Sequence, residues 1–482
     1  MKNNHGQHSF FGKNALCTLK SYQFESIGRF GRMFREVSPL YLNPIELNKL
    51  GAPGGPMEGT SIAQLTSNVP LGMIFFGQFI DHDITFDTHS NFSSINNPTE
   101  IENTRSANLD LDCVFGGGPE DEPFLYDKPN GRGLYLLTGK SNQNQGQAAK
   151  LEKHDLARTG TETAIIGDPR NDENRVVSQF QLAMIRFYNA NYDAIKTADP
   201  AKSAVEIYEE ARKRVMYHYQ WIVVNEFLPL LCGSKIVGEI LGSGRKFYKP
   251  CNGAFIPVEF SVAAYRFGHS MINQELKLQP TGDTHSIFSS EFGRGFEKIK
   301  NEKQIIHWEA LFDFDGNYQR AEKLDTKLAA ILLDLPFINS NNPADRSLAT
   351  RNLRRGQSFL LPSGETIAQC MQRDTAEIND VKNLIQNLSQ NHAINLENGT
   401  PLWFYILAEA EEIGRVDSSG NKPGEGLGPV GATIITETII GLLEMDENSY
   451  LGSNRDWSPT LGVNGVFTMK DLLTMSNSAI EL

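Results

Sequence analysis

The chain has 482 residues, of which 40% are apolar, 10% aromatic and 21% charged, so it has the composition of an ordinary globular protein. Its 45 lysines and arginines and 58 aspartates and glutamates give a formal net charge of −13, which argues against nucleic acid as a partner. The longest strongly apolar stretch, residues 71–80, is interrupted by Gly and Gln and falls far short of the roughly 20 residues that a membrane-spanning helix needs, so no transmembrane segment is predicted.

Apolar residues recur at intervals of three and four over much of the chain, a pattern typical of helices that bury one face. This spacing predicts helices over residues 71–81, 176–195, 203–231, 262–273, 326–335, 375–387, 401–413 and 432–443. Strand patterns are short and few, and the best cover residues 133–137 and 255–260. We therefore predict a mainly α fold with very little β structure, in which one large domain over residues 61–482 follows an N-terminal extension over residues 1–60.

The five cysteines are scattered and show no CxxC spacing, so the sequence predicts neither a disulfide framework nor a zinc site. The first part of the chain contains no continuous apolar segment, which is not the pattern of a cleaved secretory signal. We therefore expect a cytoplasmic protein by default, while export by a route that needs no such signal stays open. The sequence does not predict the oligomeric state.

The end of the first predicted helix carries a histidine between two aspartates, in the segment FIDHDI. Gln78 precedes His82 by four residues, so both side chains lie on the same face of a helix. An imidazole beside an amide indicates an acid–base site, and a structural histidine at a solvated helix end is the alternative. Asp81 and Asp83 lie near the negative end of the helix dipole, where carboxylates need compensation such as a cation.

A second acidic cluster follows in the segment SANLDLDCVFGGGP. Ser106, Asp110 and Asp112 alternate there with apolar or small residues, and such hard oxygen ligands suit calcium. Together with Asp83 they supply three carboxylates for a divalent cation. The segment lacks the pattern of an EF-hand loop, and an ordinary acidic turn is the alternative interpretation.

The segment GDPRNDEN precedes the helix predicted from residue 176 and presents Arg170 and Glu173. Aspartate and asparagine at the start of a helix are common caps, which is the structural interpretation of this segment. The sequence alone does not decide between this structural role of the segment and a functional role for Arg170 and Glu173.

Two further segments carry candidate residues. His269 lies in AYRFGHSMI, a predicted buried helix, where a histidine is more often a core residue than a ligand. Asn352 and Arg355 lie in LATRNLRRG, which we interpret as a turn-like, strongly basic patch. The signatures GxSxG, HExxH and GxxxxGK[ST] are absent from the sequence, which argues against the common serine hydrolases, zinc hydrolases and phosphate-binding loops.

Taken in order, the segments GQFIDHDITFD, GDPRNDEN, RFGH and TRNLRRG resemble the haem-contacting motifs of the animal haem peroxidase family, and DLPFINSNNPADRSLATRNLRRG is similar to its bacterial branch. The resemblance covers about residues 71–461. It implies the mainly α fold of that family, a b-type haem and bound calcium. The implied activity is the oxidation of small donors by hydrogen peroxide, with iodide, bromide, thiocyanate or phenols as the donors.

The resemblance also implies roles for the candidate residues. His82 corresponds to the distal histidine, Gln78 to its neighbour and Arg170 to the distal arginine. His269 corresponds to the proximal ligand of the haem iron, and Asn352 is expected to accept the other ring proton of this histidine. The acid–base interpretation of His82 is the one that the resemblance supports.

Further residues match the parts of the family that hold haem and calcium. Arg355 is expected to pair with a haem propionate, and Asp81 and Glu173 match carboxylates that form ester bonds to the haem. The calcium ligands implied are Asp83, Ser106, the carbonyl of Asn108, Asp110 and Asp112.

The sequence departs from some members of this family at two positions. Asn174 follows Glu173 where some members have a methionine linked to the haem, so a third link and chloride oxidation are not expected. Arg266 precedes His269 by three residues where cyclooxygenase-like members have a radical tyrosine, and Tyr265 is one position away. A fatty-acid dioxygenase of that branch and a non-catalytic module that binds haem or calcium remain the alternative functions.

Overall fold

Helices dominate the structure because apolar residues recur along the chain with helical spacing. The computed structural model of the protein describes residues 28–60, 64–88, 90–91, 94–127, 133–139, 147–251, 253–292 and 295–478. These residues form a mainly α-helical fold with short strands, so the predicted fold class is confirmed. No helix in the described part of the chain is long and apolar enough to cross a membrane.

The α-helices, numbered in chain order, are α1 Pro44–Gly51, α2 Leu71–Ile84, α3 Asp112–Phe115, α4 Gln147–Glu152, α5 Arg175–Ala198, α6 Ala204–Ile222, α7 Leu228–Cys232, α8 Ser234–Ser243, α9 Pro343–Arg346, α10 Leu348–Ser358, α11 Gly364–Cys370, α12 Thr375–Asn391, α13 Leu402–Glu412, α14 Pro429–Met445, α15 Tyr450–Ser453 and α16 Met469–Ser478. Short 3₁₀-helices cover Pro98–Glu100, Pro123–Leu125, Pro169–Asp172, Ala264–His269, Glu302–Gln304, Trp308–Ala310 and Ala330–Leu333. Turns of π-helix cover Val223–Phe227 and Glu259–Ala263.

The strands are short, between two and six residues long. They are β1 Gly28–Gly31, β2 Leu65–Pro70, β3 Glu102–Asn103, β4 Tyr126–Asp127, β5 Tyr135–Leu136, β6 Ile256–Pro257, β7 Glu275–Lys277, β8 Thr284–Ser286, β9 Arg320–Glu322, β10 Arg415–Asp417 and β11 Gly420–Lys422. Strand β1 pairs antiparallel with β3 and parallel with β6. The pairs β2–β9, β4–β5, β7–β8 and β10–β11 are antiparallel.

Helix α2 lies in the core with almost every side chain buried. Its sequence is apolar around the whole circumference, as expected for a helix that is surrounded by protein. The Phe76 ring contacts Phe180 of α5 and Tyr219 of α6, with centroid distances of 5.8 and 6.0 Å. Gly72 allows a close approach, because a Cβ at this position would lie 2.2 Å from the ring of Phe312. Neighbouring elements thus fix the helix that carries His82.

Two of the predicted helices differ in the structure. The chain over residues 262–273 is not one α-helix: a π-helix ends at Ala263, whose φ of −127° and ψ of −76° interrupt the helical path, and a 3₁₀-helix then ends at His269. Over residues 326–335 the described helix is only the 3₁₀ turn at 330–333. The backbone of Leu328 is paired with residues 57 and 59 instead, at N–O distances of 3.0 and 2.8 Å.

Two shorter predictions also change. Of the strand predicted over residues 255–260, the structure contains only β6, Ile256–Pro257, because the π-helix begins at Glu259. The segment LATRNLRRG is α-helix α10 and not a turn-like patch. Ser347 caps this helix by accepting a hydrogen bond from the Thr350 backbone N–H at 3.3 Å, a signal that the sequence contained. Helix α10 packs against α1 and buries Ala349 and Leu353.

Residues 28–60, part of the predicted N-terminal extension, pack against later parts of the described chain. Strand β1 pairs with β6, and α1 packs on α10 with Leu47 and Leu50 buried. Residues 28–60 therefore help to hold α10, the helix that carries Asn352 and Arg355.

Candidate active site

His82 lies in the last turn of α2 and is buried, with 5% of its surface exposed. Its Nδ1 is 2.8 Å from Oδ1 of Asn171, and its Nε2 is 3.7 Å from Oε1 of Glu173. Burial lowers the pKa of His82 to about 4, and the positive charge of Arg170 contributes to the shift. The imidazole is therefore neutral near pH 7, the state in which it accepts a proton.

Arg170 is fixed beside His82 by contacts on several sides. Its Nε and Nη2 donate to the two carboxylate oxygens of Asp168 at 3.1 and 2.7 Å, and Nη2 also donates to the His82 carbonyl at 2.9 Å. The guanidinium carbon lies 4.1 Å from the centroid of the Phe86 ring, which is a cation–π distance. These contacts hold the positive charge next to the distal imidazole.

Asp168 is the anion between two arginines, and no sequence pattern singled it out. It is completely buried, and Arg105 Nη2 lies 2.8 Å from its Oδ2. Burial by itself would raise the pKa of this carboxyl, but the hydrogen bond and charge of Arg170 and the charge of Arg105 lower it below its usual value. Asp168 also caps the turn Pro169–Asp172, because its Oδ1 accepts from the Arg170 backbone N–H at 2.8 Å.

Gln78 and Glu173 meet next to His82. The Gln78 side-chain amide donates to Glu173, and Asn174 Nδ2 donates to Gln78 Oε1 at 3.2 Å. Burial raises the pKa of Glu173 to about 7, against the opposing effect of the Arg170 charge. Asp81 precedes His82 on α2 and accepts a hydrogen bond from Thr85 Oγ1 at 3.0 Å. The Glu173 carboxyl group therefore lies close to the His82 imidazole, and Asp81 is the residue directly before His82 on the same helix.

His269 lies at the end of the 3₁₀-helix Ala264–His269. Its Nδ1 is 2.8 Å from Nδ2 of Asn352, while Oδ1 of Asn352 accepts from Arg266 Nη1 at 2.9 Å. Asn352 was expected to accept the other ring proton of His269, and this stays a prediction; in the structure its amide nitrogen faces Nδ1 and its oxygen faces Arg266. The guanidinium of Arg266 can only donate, so it takes the amide oxygen and leaves the amide nitrogen to face the imidazole.

The electrostatics of the proximal segment favour a neutral imidazole. Burial lowers the pKa of His269 to about 3, and the nearby charge of Arg266 lowers it further. Burial also lowers the pKa of Arg266 to about 10. A neutral imidazole is the form that binds a metal ion.

The segment Ala264–His269 lies against helix α2, which carries His82. A Cβ at Gly268 would lie 3.4 Å from Ile74, and a Cβ at Gly77 would lie 4.0 Å from the hydroxyl of Tyr265. Because Ile74 and Gly77 occupy the two turns before His82, the fold brings both histidine segments to the same helix.

Arg355 lies one turn after Asn352 on α10. Its guanidinium hydrogen-bonds to Ser90 Oγ and lies 3.6 Å from Oδ2 of Asp87. Burial lowers the pKa of Arg355. Helix α10 thus presents both the partner of His269 and a cation from one rigid element. Asp87 and Ser90 were not singled out in the sequence.

Three of the predicted calcium ligands come together beside His82, at the C-terminal end of α2. Oxygen atoms of Asp83, Asp110 and Asp112 all lie within 4.8 Å of one another. Ser106 Oγ donates to Asp110 at 3.0 Å, and the Ser106 backbone N–H donates to Asp112 at 3.3 Å. Asn108 belongs to the same loop.

These carboxyl groups repel one another in the absence of a cation. Burial raises the pKa of Asp83 far above its usual value, and the charges of Asp112 and Asp110 raise it further. Burial also raises the pKa of Asp112 to about 7, although the Arg105 charge opposes the shift. Oδ1 of Asp112 is buried and makes no hydrogen bond within the described residues. The cluster has the hard oxygen donors that a divalent cation uses.

Comparison with known proteins identifies the family. The sequence profile of animal haem peroxidases matches residues 87–398, a range that includes Arg170, His269 and Asn352 but begins after α2. The chain is 26% identical over 330 residues to peroxidase mlt-7 of Caenorhabditis elegans, covering 65% of this chain and 42% of that protein. It is 27% identical over 379 residues to mouse thyroid peroxidase, covering 73% of this chain and 39% of that protein. The chain thus spans less than half the length of these curated relatives.

Solved structures support the same assignment at the level of the fold. Peroxidase A from Dictyostelium discoideum superposes with a TM-score of 0.61 at 15% identity, covering 94% of both chains. A fatty acid alpha-dioxygenase from Arabidopsis thaliana superposes with a TM-score of 0.57 at 16% identity, covering 92% of this chain and 75% of that one. These likenesses show a shared fold and do not separate the two activities. Since the family profile matches well over half of the chain, the chain belongs to the animal haem peroxidase family.

Proposed function

We propose that this protein is a haem peroxidase that reduces hydrogen peroxide and oxidises small anionic or phenolic donors. Membership of the family implies that the protein binds haem and uses peroxide. The observation that carries the proposal is a pair of neutral imidazoles, the buried His82 and the half-buried His269, on segments that pack together, with the fixed cation Arg170 beside the first. A non-catalytic module would have no need of all three groups.

The described residues fit a haem group. His269 would bind the iron through Nε2, which requires the ring proton on Nδ1, so the Asn352 amide would turn its oxygen toward Nδ1 when haem is bound. Arg355 would pair with a propionate, since it already contacts an acidic side chain and a hydroxyl. When bound, the haem iron would supply the redox chemistry that the side chains lack.

His82 and Arg170 would divide the work of cleaving the peroxide O–O bond. His82, neutral and buried, would take the proton from one peroxide oxygen and return it to the other, which departs as water. Arg170 keeps its positive charge and would stabilise the negative charge that develops on the departing oxygen. Its bonds to Asp168 and to the His82 carbonyl support this role, because a charge that is already oriented needs no reorganisation during the reaction.

We also infer that Asp81 and Glu173 form ester bonds to methyl groups of the haem. Glu173 Oε1 lies 3.7 Å from His82 Nε2, and Asp81 directly precedes His82 on α2. Within the described residues, only Gln78 and Thr85 are hydrogen-bonded to these two side chains. Each ester would join a carboxyl oxygen to a methyl carbon, with loss of one hydrogen from each group. One molecule of hydrogen peroxide would take up both hydrogens and become two molecules of water.

We infer that calcium occupies the cluster formed by Asp83, Ser106, the Asn108 carbonyl, Asp110 and Asp112. The mutual proximity of three carboxyl groups, one buried and two half-buried, supports this inference. Oδ1 of Asp112 supports it too, because this atom makes no hydrogen bond within the described residues and has the Arg105 guanidinium 3.4 Å away. A divalent cation would oppose both the effect of burial and the mutual repulsion that raise the pKa values of Asp83 and Asp112. Because Asp83 follows His82 directly, the ion would also hold the end of α2.

The experiment that tests the proposed function is a peroxide titration of the haem-loaded protein, followed by its absorption spectrum and by oxidation of iodide or a phenol. We expect a Soret band, a spectral change with about one equivalent of peroxide, and turnover of the donor. His269→Ala should lose the haem, whereas His392→Ala, at an exposed histidine just after α12, should keep it. A normal Soret band and iron content in His269→Ala would overturn the assignment.

A further inference from the structure

His82 is the first of three buried side chains that form a row of hydrogen bonds; the proposed mechanism uses His82 but neither of the other two. The row consists of His82, Asn171 and Gln181, and it ends at the backbone carbonyl of Cys113. We propose that Asn171 and Gln181 are positioning residues that fix His82 in the tautomer with its proton on Nδ1. The geometric part of this inference stands by itself, and its consequence for catalysis rests on the proposed function.

The direction of the row follows from its last member. A backbone carbonyl can only accept, so the atom of Gln181 that faces Cys113 O at 3.3 Å is the donor Nε2. Oε1 of Gln181 then faces Asn171, whose Nδ2 donates to it at 2.8 Å. This leaves Oδ1 of Asn171 to face His82 Nδ1 at 2.8 Å.

At the other end of the row, the partner of His82 Nδ1 is the side-chain oxygen of Asn171. Because an amide oxygen can only accept, the Nδ1 atom of His82 must carry the proton that it shares with Asn171. Turning both amides over would place two oxygen atoms against each other at Cys113 and leave an amide donor facing Nδ1 of His82. One main-chain carbonyl, acting through two amides, therefore selects the tautomer.

Burial prevents water from offering an alternative partner. Gln181 and Asn171 are completely buried, and His82 is 5% exposed. Buried polar groups that lose their partner are costly, so the arrangement is held as a unit. The members come from four separate elements, namely α2, the turn Pro169–Asp172, α5 and α3, and their packing fixes the spacing.

The selected tautomer leaves a lone pair on Nε2, the nitrogen on the side of Glu173. The distance of 3.7 Å from Nε2 to Glu173 Oε1 is longer than a hydrogen bond, so Glu173 does not engage this nitrogen directly. In the proposed reaction, Nε2 is then free to receive the proton from peroxide. The opposite tautomer would present an N–H to the peroxide and could not act as the base.

The tautomer can be read directly from the ring nitrogens by NMR on the full chain with ¹⁵N-labelled histidine, reduced under carbon monoxide so that any bound iron is diamagnetic. The chain has 10 histidines, and the His82 signals would be identified by their loss in His82→Gln. We expect a protonated Nδ1 and an unprotonated Nε2 for His82. A dominant Nε2–H form in the unmodified protein would overturn the inference.

Substitutions at Asn171 and Gln181 distinguish a role in positioning His82 from a role in packing alone. Asn171→Leu should shift His82 to a mixture of tautomers and slow the reaction with peroxide about tenfold, which is less than the roughly 10²- to 10⁴-fold that a general acid–base group contributes, because part of His82 stays in the active form. Asn171→Asp keeps an acceptor and should keep the tautomer. Gln181→Met, which removes the anchor of the row, should have the same direction of effect as Asn171→Leu and serves if that variant does not fold.

Asn191→Leu is the matched control, because Asn191 is a buried asparagine on α5 whose amide donates to the Phe187 carbonyl. It should lower thermal stability without changing the His82 signals. If Asn171→Leu and Gln181→Met do the same and leave the tautomer intact, the two residues are packing residues and the inference is wrong. If the tautomer shifts but no form of the protein turns over peroxide, the positioning role holds and the proposed function fails.

Discussion

Replacing Asp168 by asparagine tests whether one buried anion holds the distal arginine. The carboxylate is completely buried between Arg105 and Arg170, at N–O distances of 2.8 and 2.7 Å. Asparagine has nearly the same shape but carries no charge, and one of its two oxygen positions becomes a donor that faces a guanidinium. Both arginines therefore lose the anion, and one of them gains a repulsive contact.

The structure sets the size of the effect. Breaking a buried ion pair costs about 3–5 kcal/mol, and we expect the lower end because both arginines keep other partners. Arg105 retains Asp112 at 3.4 Å and the Gly167 carbonyl at 3.0 Å, and Arg170 retains the His82 carbonyl. A loss of about 3 kcal/mol corresponds to about 3 °C in Tm, since unfolding entropy scales to about 1 kcal/mol per K for a chain of this length.

The effect has a defined pH dependence. Because the pKa of Asp168 is lower in the folded protein, its stabilisation is present above the pKa of the unfolded chain and is lost as the pH falls through the lower, folded value. The Tm difference between the native protein and Asp168→Asn should thus be full at pH 7 and shrink in strong acid. The less firmly held Arg170 should also slow the reaction with peroxide by about 10- to 100-fold.

The assays are thermal unfolding followed by circular dichroism and stopped-flow reaction with peroxide. Asp334→Asn is the matched control, because Asp334 makes an ion pair with Arg346 while 62% of its side chain is exposed. Exposed pairs contribute about 0–1 kcal/mol, so this variant should behave like the native protein. Equal Tm values and equal peroxide rates for Asp168→Asn and Asp334→Asn at pH 7 would refute the reasoning.

The haem links, the acidic loop and the choice of substrate can each be tested in the same way. After treatment with peroxide, acidified solvent should not extract haem from the native protein, and Asp81→Asn combined with Glu173→Gln should restore extraction; complete extraction from the native protein would show that no ester forms. Metal analysis should find calcium, and Asp83→Asn should slow the peroxide reaction on the order of 100-fold by displacing His82 by about 1 Å, so a calcium-free protein at full rate would contradict the site. Oxygen uptake with linoleic acid should be negligible beside iodide oxidation; strong uptake that Tyr265→Phe abolishes would favour a dioxygenase.

The sequence predicts the helices well where one apolar pattern extends over several turns. Helix α2, for example, is apolar around its whole circumference, and the prediction over residues 71–81 falls within the helix observed from Leu71 to Ile84. Prediction fails where a tertiary contact competes with the local pattern. Leu328 belongs to an apolar run of helical spacing, but its backbone bonds to residues 57 and 59, which a local pattern cannot reveal.

The residues of the candidate site also fall into two groups: those that a local motif reveals and those whose role depends on a contact distant in sequence. The ordered motifs name His82, Arg170 and His269, because each motif contains the residue that carries the chemistry. The polarity of Asn352 could not be read from its own motif, since it depends on Arg266, 86 positions away in sequence. Asn171 was visible next to Arg170, but its role depends on Gln181 on another element.

The contacts around α3 explain why the distal groups and the acidic loop would act together. Two rows of contacts begin at neighbouring residues of α3 and end at the two distal groups; they are Asp112–Arg105–Asp168–Arg170 and Cys113–Gln181–Asn171–His82. The first row consists of charges and orients a guanidinium, whereas the second consists of neutral amides and orients an imidazole. Because both start from one short helix at the end of the acidic loop, a displacement of that loop would reach the proton acceptor and the stabilising cation at once. A cation in the loop would therefore act on both functions without touching either side chain.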